Sequence, residues 1–311
     1  MKKNLQQLFE EFMYECEFVR KVRPATLRAY RYTLALFLKI VPTASLQLLD
    51  TTLVIEFFKI LQERKRIVGK GSTKSGIKKS TAATYWSKLN TFFDWLVKHE
   101  HIENNPFEKM AYPTPSYEEK KFLKKQEIEK IITAIHCHHD NNVLLLKRNI
   151  VLFYLFIFCG LRREEVLRLQ IRDIDFERRV LTIRGDTSKS GMTRQVPLHS
   201  TTIMYLKDYL QARKRYTTPY LLVSRKRDEG FTIEGLKHLV ERIKRASGVR
   251  FHPHQFRHTF AVNFLKSSNN IAKLKQLLGH KDIRMTLVYL RCLPVEEMRG
   301  DIEHLNIDNF I

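Results

Sequence analysis

A chain of 311 residues suggests about two domains, and its 43% hydrophobic content suits ordinary globular cores. Against 33 Asp and Glu, its 55 Lys and Arg give a formal net charge of +22, beyond what solubility needs. That charge predicts a polyanionic partner, nucleic acid first and a membrane surface second. No apolar run is long enough to span a membrane, and the start MKKNLQQLFEEF is charged and amphipathic rather than a signal peptide. A cytoplasmic location without a membrane partner is therefore expected. The four cysteines, Cys16, Cys137, Cys159 and Cys292, form no C-x-x-C pair and fit reduced, mostly buried thiols.

Residues 1 to about 110 read as helices. Leu5, Leu8, Phe9, Phe12 and Met13 recur at helical spacing, as do Leu27, Tyr30, Leu34, Phe37 and Leu38 after Pro24 opens a second helix. Thr51 or Thr52 is placed to cap a third helix carrying Val54, Phe57, Phe58 and Leu61. Ser80 or Thr81 is placed to cap a fourth, with Tyr85, Leu89, Phe92, Phe93 and Leu96 inward. Such aromatic stripes are core. Between helices three and four, Arg64 to Lys79 holds seven basic residues (Arg64, Lys65, Arg66, Lys70, Lys74, Lys78, Lys79), three glycines and no acid. A charge run is usually a solvated loop; the charge of the whole chain makes a DNA-backbone contact the stronger reading. From about 105 to 121 three prolines and mixed charges read as an interdomain linker.

A further helix is expected from about Lys125, ending in His136, Cys137, His138, His139 and Asp140. Adjacent residues point in different directions and no spaced partner cluster follows, so this is a polar helix end rather than a metal site. The apolar helix VLLLKRNIVLFYLFIF is expected at the centre of the second domain and stops at Cys159-Gly160. Residues 172 to 198 alternate apolar and polar with turn signals at Gly185 and Ser190-Gly191, which predicts a small antiparallel sheet. Helices follow from about Thr201 to Lys214 and from Ile233 to Ala246.

The stretch from His254 to Tyr289 carries the chemistry. His254 and Arg257 are three apart and share a helix face. A run from Ile271 to Leu278 is apolar at helical spacing and ends at Gly279, which leaves His280 in a loop just past a helix end. Tyr289 follows in RMTLVYL. One Arg and two His converge well on a phosphate, and a tyrosine hydroxyl is a nucleophile. This is phosphoryl-transfer equipment without a metal. The bland alternative is a helical bundle with core and cap histidines and a groove-filling tyrosine.

The ordered set H-x-x-R, G-H and Y, in HQFRHTFA, LLGH and Tyr289, resembles the C-terminal signature of the tyrosine recombinases, the phage integrase family. Upstream, GLRREEVLRL resembles that family's first arginine box, which implies a catalytic Arg162 with Glu165 as its supporting carboxylate. TSKSG resembles the family's lysine-bearing turn, which implies Lys189 as proton donor, against the alternative of a solvated hairpin tip. The resemblance covers essentially the whole chain, which is similar to the Xer proteins in size and simple two-domain layout. It implies a mainly α fold with a small antiparallel sheet: a helical core-binding domain (1–110), a linker (111–121) and a mixed α/β catalytic domain (122–311). It further implies attack of Tyr289 on DNA to form a 3′-phosphotyrosine, with Arg162, Arg257 and His280 on the phosphate and His254 assisting near Tyr289. Neither metal nor other cofactor is implied. The implied partners are double-stranded DNA and further copies of this chain or a related recombinase, four subunits to a synapse. The tail after Tyr289, with Leu305, Ile307, Phe310 and Ile311, is expected either to fold back or to dock on a neighbouring subunit. Two departures stand out: Leu290-Arg291 replace a polar residue and a histidine common after the tyrosine, and the basic loop is longer than in the shortest relatives. A type IB topoisomerase shares the chemistry but would relax DNA without strand exchange. A DNA-binding module that lost catalysis would lack Arg162, Arg257 or Tyr289, and all three are present.

Overall fold

The computed structural model describes residues 3–42, 44–68, 71–114, 122–137, 142–186, 188, 191–225, 227–293 and 303. Lys70, His138, His139, Asp140, Lys189, Leu305, Ile307, Phe310 and Ile311 lie outside these residues. The chain divides into two compact units, Met1–Glu118 and Glu119–Ile311. Both are mainly helical; the second holds the small antiparallel sheet that was expected, and the first holds a two-stranded one that was not. Among the described residues no helix is long and apolar enough to cross a membrane.

In the first unit α1 (Leu5–Tyr14) begins at a reciprocal cap between Asn4 and Gln7 and runs on into a π-helical turn, Glu15–Val19. Helix α2 (Pro24–Ile40) opens on proline, as expected. The third helix, α3 (Thr51–Glu63), is capped not by a threonine but by Asp50, whose carboxylate accepts the Leu53 N–H at 2.8 Å. Between α3 and the fourth helix the expected basic loop is instead a hairpin, β1 (Lys65–Val68) and β2 (Ser72–Ser75). The β-branched Ile67, Val68 and Thr73 favour strands, and Gly71, at φ +93°, provides the turn conformation that an L side chain resists. Helix α4 (Lys79–Lys98) begins at Lys79 rather than behind a Ser or Thr cap. The apolar stripes meet as read: Phe12, Phe37, Phe57, Phe92 and Phe93 are all fully buried. Phe107 joins this core, so the stretch expected as linker from about 105 begins as packed structure.

In the second unit α5 (Lys125–Cys137) precedes α6 (Val143–Cys159), whose apolar residues are buried nearly all round, the mark of a central helix. A short α7 (Arg163–Leu167) leads to a three-stranded antiparallel sheet of β3 (Ile174–Asp175), β4 (Val180–Ile183) and β5 (Arg194–Pro197), in that order. Then come α8 (Ser200–Ala212), α9 (Ile233–Ser247), α10 (Pro253–Ser268), α11 (Ile271–Leu278) and α12 (Arg284–Leu287), the last followed by a 3-10 turn, Leu290–Cys292. Helix α6 packs on α8 and α10. Burying each of its Leu or Phe side chains contributes roughly 1.5–3 kcal/mol. That packing holds the end of α6 against α10, where the functional side chains gather. Cys16, Cys159 and Cys292 are buried and Cys137 is exposed, and none of the four is in a disulfide.

Candidate active site

The site is built where α6 and α11 end. Helix α6 stops at Gly160, which is left-handed (φ +58°), and a Cβ there would lie 2.4 Å from the Phe260 ring. The conformation favours glycine and the ring contact requires it. The Gly160 carbonyl accepts a hydrogen bond from Arg257 Nη1 at 2.9 Å. Two residues on, the Arg162 backbone N–H and its Nη1 each donate to the Glu165 carboxylate at 2.8 Å. Arg194, the first residue of β5, donates to both oxygens of Glu165 at 3.0 and 2.8 Å, a bidentate fork. Burial alone would raise the pKa of the Glu165 carboxyl; hydrogen bonds and charge from Arg194, joined by Arg162, reverse this and hold it at about 2.

Helix α11 brings the arginines together. The last carbonyls of a helix have no intrahelical partners and carry the negative end of its dipole. The Leu277 carbonyl accepts from Arg194 Nε at 2.8 Å, and the Leu278 carbonyl from Arg257 Nη2 at 2.7 Å and Arg162 Nη1 at 3.4 Å. The left-handed Gly279 (φ +62°) ends α11 and leaves no room for a side chain, because a Cβ would sit 2.8 Å from Arg194 Cδ.

His280 follows with both ring nitrogens engaged. Nε2 lies 3.0 Å from Arg257 Nη2 and Nδ1 lies 2.9 Å from Thr286 Oγ1. A guanidinium only donates, so Nε2 accepts, the ring is neutral and its Nδ1–H donates to Thr286. Arg257 is 1% exposed. Burial pulls its pKa down to about 9, helped by the charge of Arg162, and it stays protonated at neutral pH. Tyr289, just past α12, is 2% exposed, and its hydroxyl is hydrogen-bonded by Arg257 and lies 3.1 Å from His258 Nδ1. With Arg257 donating to the phenol oxygen, the phenol hydrogen can go to His258 Nδ1 in the tautomer that leaves that nitrogen bare. Burial holds the phenol pKa above its ordinary 10, with the charges of Arg257 and Arg162 working against it. Three arginines and one carboxylate leave two positive charges beside a hydroxyl, which is the chemistry for holding a phosphate during attack by that oxygen.

Arg162, Glu165, Arg257, His280 and Tyr289 are thus brought into one cluster. His254 is exposed on α10, its ring edge-to-face with that of His258 at 4.5 Å, and it lines a cleft of about 380 Å³ with Arg162 and His252. The histidine against the Tyr289 hydroxyl is therefore His258, one helical turn beyond His254. Lys189 cannot be placed, being outside the described residues. Of the basic run, Lys65 and Lys74 are exposed on the hairpin, Arg64 and Arg66 are half-buried, and Arg66 Nε donates to the Gly76 carbonyl at 2.9 Å. Lys78 and Lys79 mark the start of α4. Among the described residues no group of three or more His, Cys, Asp or Glu could hold a metal ion.

Sequence reasoning missed Arg194, His258 and Thr286. A signal existed for Arg194: alternation along β5 puts it on the buried face with Val196, and a buried arginine needs acceptors for its N–H groups. For Thr286 no sequence signal was available.

Residues 121–294 match the Phage integrase family and residues 4–112 the Phage integrase SAM-like domain. The chain is 29% identical over 298 residues to a tyrosine recombinase of Thermosipho africanus, covering 94% of this chain and 98% of that one. It is 31% identical over 189 residues to tyrosine recombinase XerA of Pyrococcus furiosus, covering 60% and 62%. Among solved structures it resembles XerH site-specific recombinase bound to palindromic difH substrate, with a TM-score of 0.73 at 22% identity, covering 92% of this chain and 82% of that one. It also resembles the Tn1549 transposon integrase in complex with circular intermediate DNA, with a TM-score of 0.75 at 17% identity, covering 97% and 99%.

Proposed function

This chain belongs to the phage integrase family and is a tyrosine recombinase, a DNA-cutting and rejoining enzyme, and we propose that Tyr289 is its nucleophile. The phenol oxygen attacks a DNA phosphorus, the bond to the 5′-oxygen breaks, and a 3′-phosphotyrosine forms. The phenol proton passes to His258 Nδ1, 3.1 Å away, in the tautomer that leaves that nitrogen bare. The leaving 5′-oxygen takes a proton from Lys189, the role that the family resemblance assigns. Arg162 and Arg257 hold the phosphate oxygens as charge builds on them, with Glu165 and Arg194 fixing the arginines in place, and His280 joins them when its Nε2 takes a proton instead of accepting from Arg257. His254, at the edge of the cleft, donates a hydrogen bond to the bound strand. Rejoining is the reverse: a 5′-hydroxyl attacks the phosphotyrosine and gives its proton back to Lys189, while the departing phenol oxygen takes its proton back from His258. Bond energy is conserved, so the step calls for no nucleotide cofactor.

The observation that supports this most is a single buried hydroxyl held between Arg257 and His258 beside a cluster of net positive charge. The helical first unit serves as the second half of a DNA clamp, with the cations of the Arg64–Lys79 segment on the phosphate backbone. Recombination engages four copies in a synapse, in the cytoplasm where the DNA is. Tyr289→Phe removes only the nucleophilic oxygen. It should abolish the covalent protein–DNA adduct on a nicked site, read on a denaturing gel, while duplex binding stays within about twofold of the parent, as expected when no charged contact to phosphate is lost. An adduct that persists in the variant removes Tyr289 from the mechanism.

A further inference from the structure

The hairpin carries more than charge. Its register pairs Lys65 with Ser75, Arg66 with Lys74, Ile67 with Thr73 and Val68 with Ser72. Cross-strand partners share a face. One face therefore shows Lys65, Ile67, Thr73 and Ser75, and the other shows Arg66 and Lys74. All four residues of the first face are exposed, and Ile67, at 79%, is the most exposed large apolar side chain among the described residues. The root of the hairpin is tied down. Gly76 N–H donates to the Arg64 carbonyl at 3.1 Å, Arg66 Nε donates to the Gly76 carbonyl at 2.9 Å, and a Cβ at Gly76 would lie 2.8 Å from the Gln62 carbonyl oxygen. A ribbon with a fixed root thus presents one branched apolar side chain, one cation, the Thr73 hydroxyl and the Ser75 hydroxyl, which donates to the Glu63 carbonyl at 3.4 Å and so meets a base edge as an acceptor.

Contact with phosphates alone would need only the cations. A two-stranded ribbon fits the major groove of B-DNA, which is about 12 Å wide, and four residues of strand run about 13 Å. In that groove hydroxyls bond base edges and apolar side chains touch the thymine methyl. Pairing of the ribbon edge with a second copy is disfavoured, because the Arg64–Lys79 segment has seven basic residues and no acidic one, and two such ribbons repel. Building on the recombinase reading above, we infer that the β1–β2 hairpin lies in the DNA major groove and reads sequence there, with Ile67 against a thymine methyl and Thr73 and Ser75 on neighbouring base edges.

The test is selection of binding sites from a pool of random duplexes by the full chain and by Ile67→Ala and Thr73→Ala variants. The parent should prefer thymine at one or two positions per half-site, and Ile67→Ala should weaken that discrimination by at least about fivefold. Uracil in place of that thymine, which removes only the methyl, should weaken the parent similarly and leave Ile67→Ala unaffected. The salt dependence should stay unchanged, since no cation is lost. Identical preferences in parent and variants overturn the inference, and lost cooperativity with unchanged preferences makes the hairpin an interface between copies instead. Covalent capture on the selected duplexes separates the two readings. Altered preference without any Tyr289 adduct would sink the nucleophile assignment and leave the hairpin reading intact. A parent that selects no sequence overturns the base-reading role outright.

Discussion

The arginines around Glu165 and the cations of the Arg64–Lys79 hairpin have the same sign and opposite design. Arg194 and Arg257 are buried, and their N–H groups end on Glu165, on Gly160 or on the last carbonyls of α11. Lys65 and Lys74 are exposed on a ribbon. A buried cation is expensive to hold unless partners surround it, and once surrounded it cannot wander. An exposed cation is cheap and imprecise, and salt screens it. Buried charge therefore fixes geometry at one phosphorus atom, whereas exposed charge draws a long polyanion onto a surface. Each can be broken separately, with effects of different size.

The largest effect belongs to the buried fork. Arg194→Ala leaves the Glu165 carboxylate buried with only Arg162 against it and uncovers the Leu277 carbonyl. Breaking a buried pair by removing one partner destabilises by about 3–5 kcal/mol. The unfolding transition of the second unit should shift accordingly in denaturant, and adduct formation should fall with it because Arg162 shares the same carboxylate. A shift no larger than that of an exposed arginine would mean that the fork does not hold the site together.

Acid should reach the same carboxylate. The Glu165 pKa is lowered in the fold from an ordinary 4.5 to about 2. Its contribution is thus fully present above pH 4.5 and is lost as pH falls from 4.5 toward 2. At about 1.4 kcal/mol for each pH unit, that is on the order of 3 kcal/mol. Stability of the parent should drop through this window, and Glu165→Gln should be less stable at neutral pH and flatter in acid. Parallel curves for parent and variant would show that other groups govern the acid response.

The contrast also bears on what the sequence made legible. Helix α6, its end at Gly160 and the end of α11 at Gly279 were readable because apolar spacing and left-handed glycines are local signals. So were the stripes of the first unit, from Leu5 to Leu96. The residue pattern suggested phosphate chemistry at Arg257, His280 and Tyr289, while Arg162, Glu165 and Lys189 came from resemblance to the family. The Arg194–Glu165 fork was not readable, because it joins β5 to α7 and no spacing rule spans that gap. His254 was expected beside Tyr289, yet His258, on the same helix, is the one within 3.1 Å. Which of two histidines one turn apart faces inward depends on how α10 is rotated against its neighbours. The hairpin is hidden in the sequence because its strands are only four residues each, and charge and glycine outweigh the β-branched residues between them.

The smallest effect lies on that hairpin, and it sharpens the comparison by separating charge from reading. Lys65 and Lys74 project from opposite faces of the ribbon, so a groove-bound ribbon need not use them equally. Neutralising a lysine that contacts a phosphate should weaken binding to every sequence alike and reduce the log–log salt slope by about 0.9 on B-DNA. Lys74→Ala, on the face away from Ile67, should do this and leave sequence preference untouched. Lys65→Ala shares the face of Ile67, so part of its effect should be sequence-dependent, with a smaller change in slope. Both variants should keep the adduct chemistry of the parent once binding is saturated, because neither residue belongs to the buried cluster. Binding isotherms at several salt concentrations on two unrelated duplexes separate these outcomes. Equal slope changes for both lysines, with no dependence on sequence, would reduce the hairpin to a second patch of exposed charge.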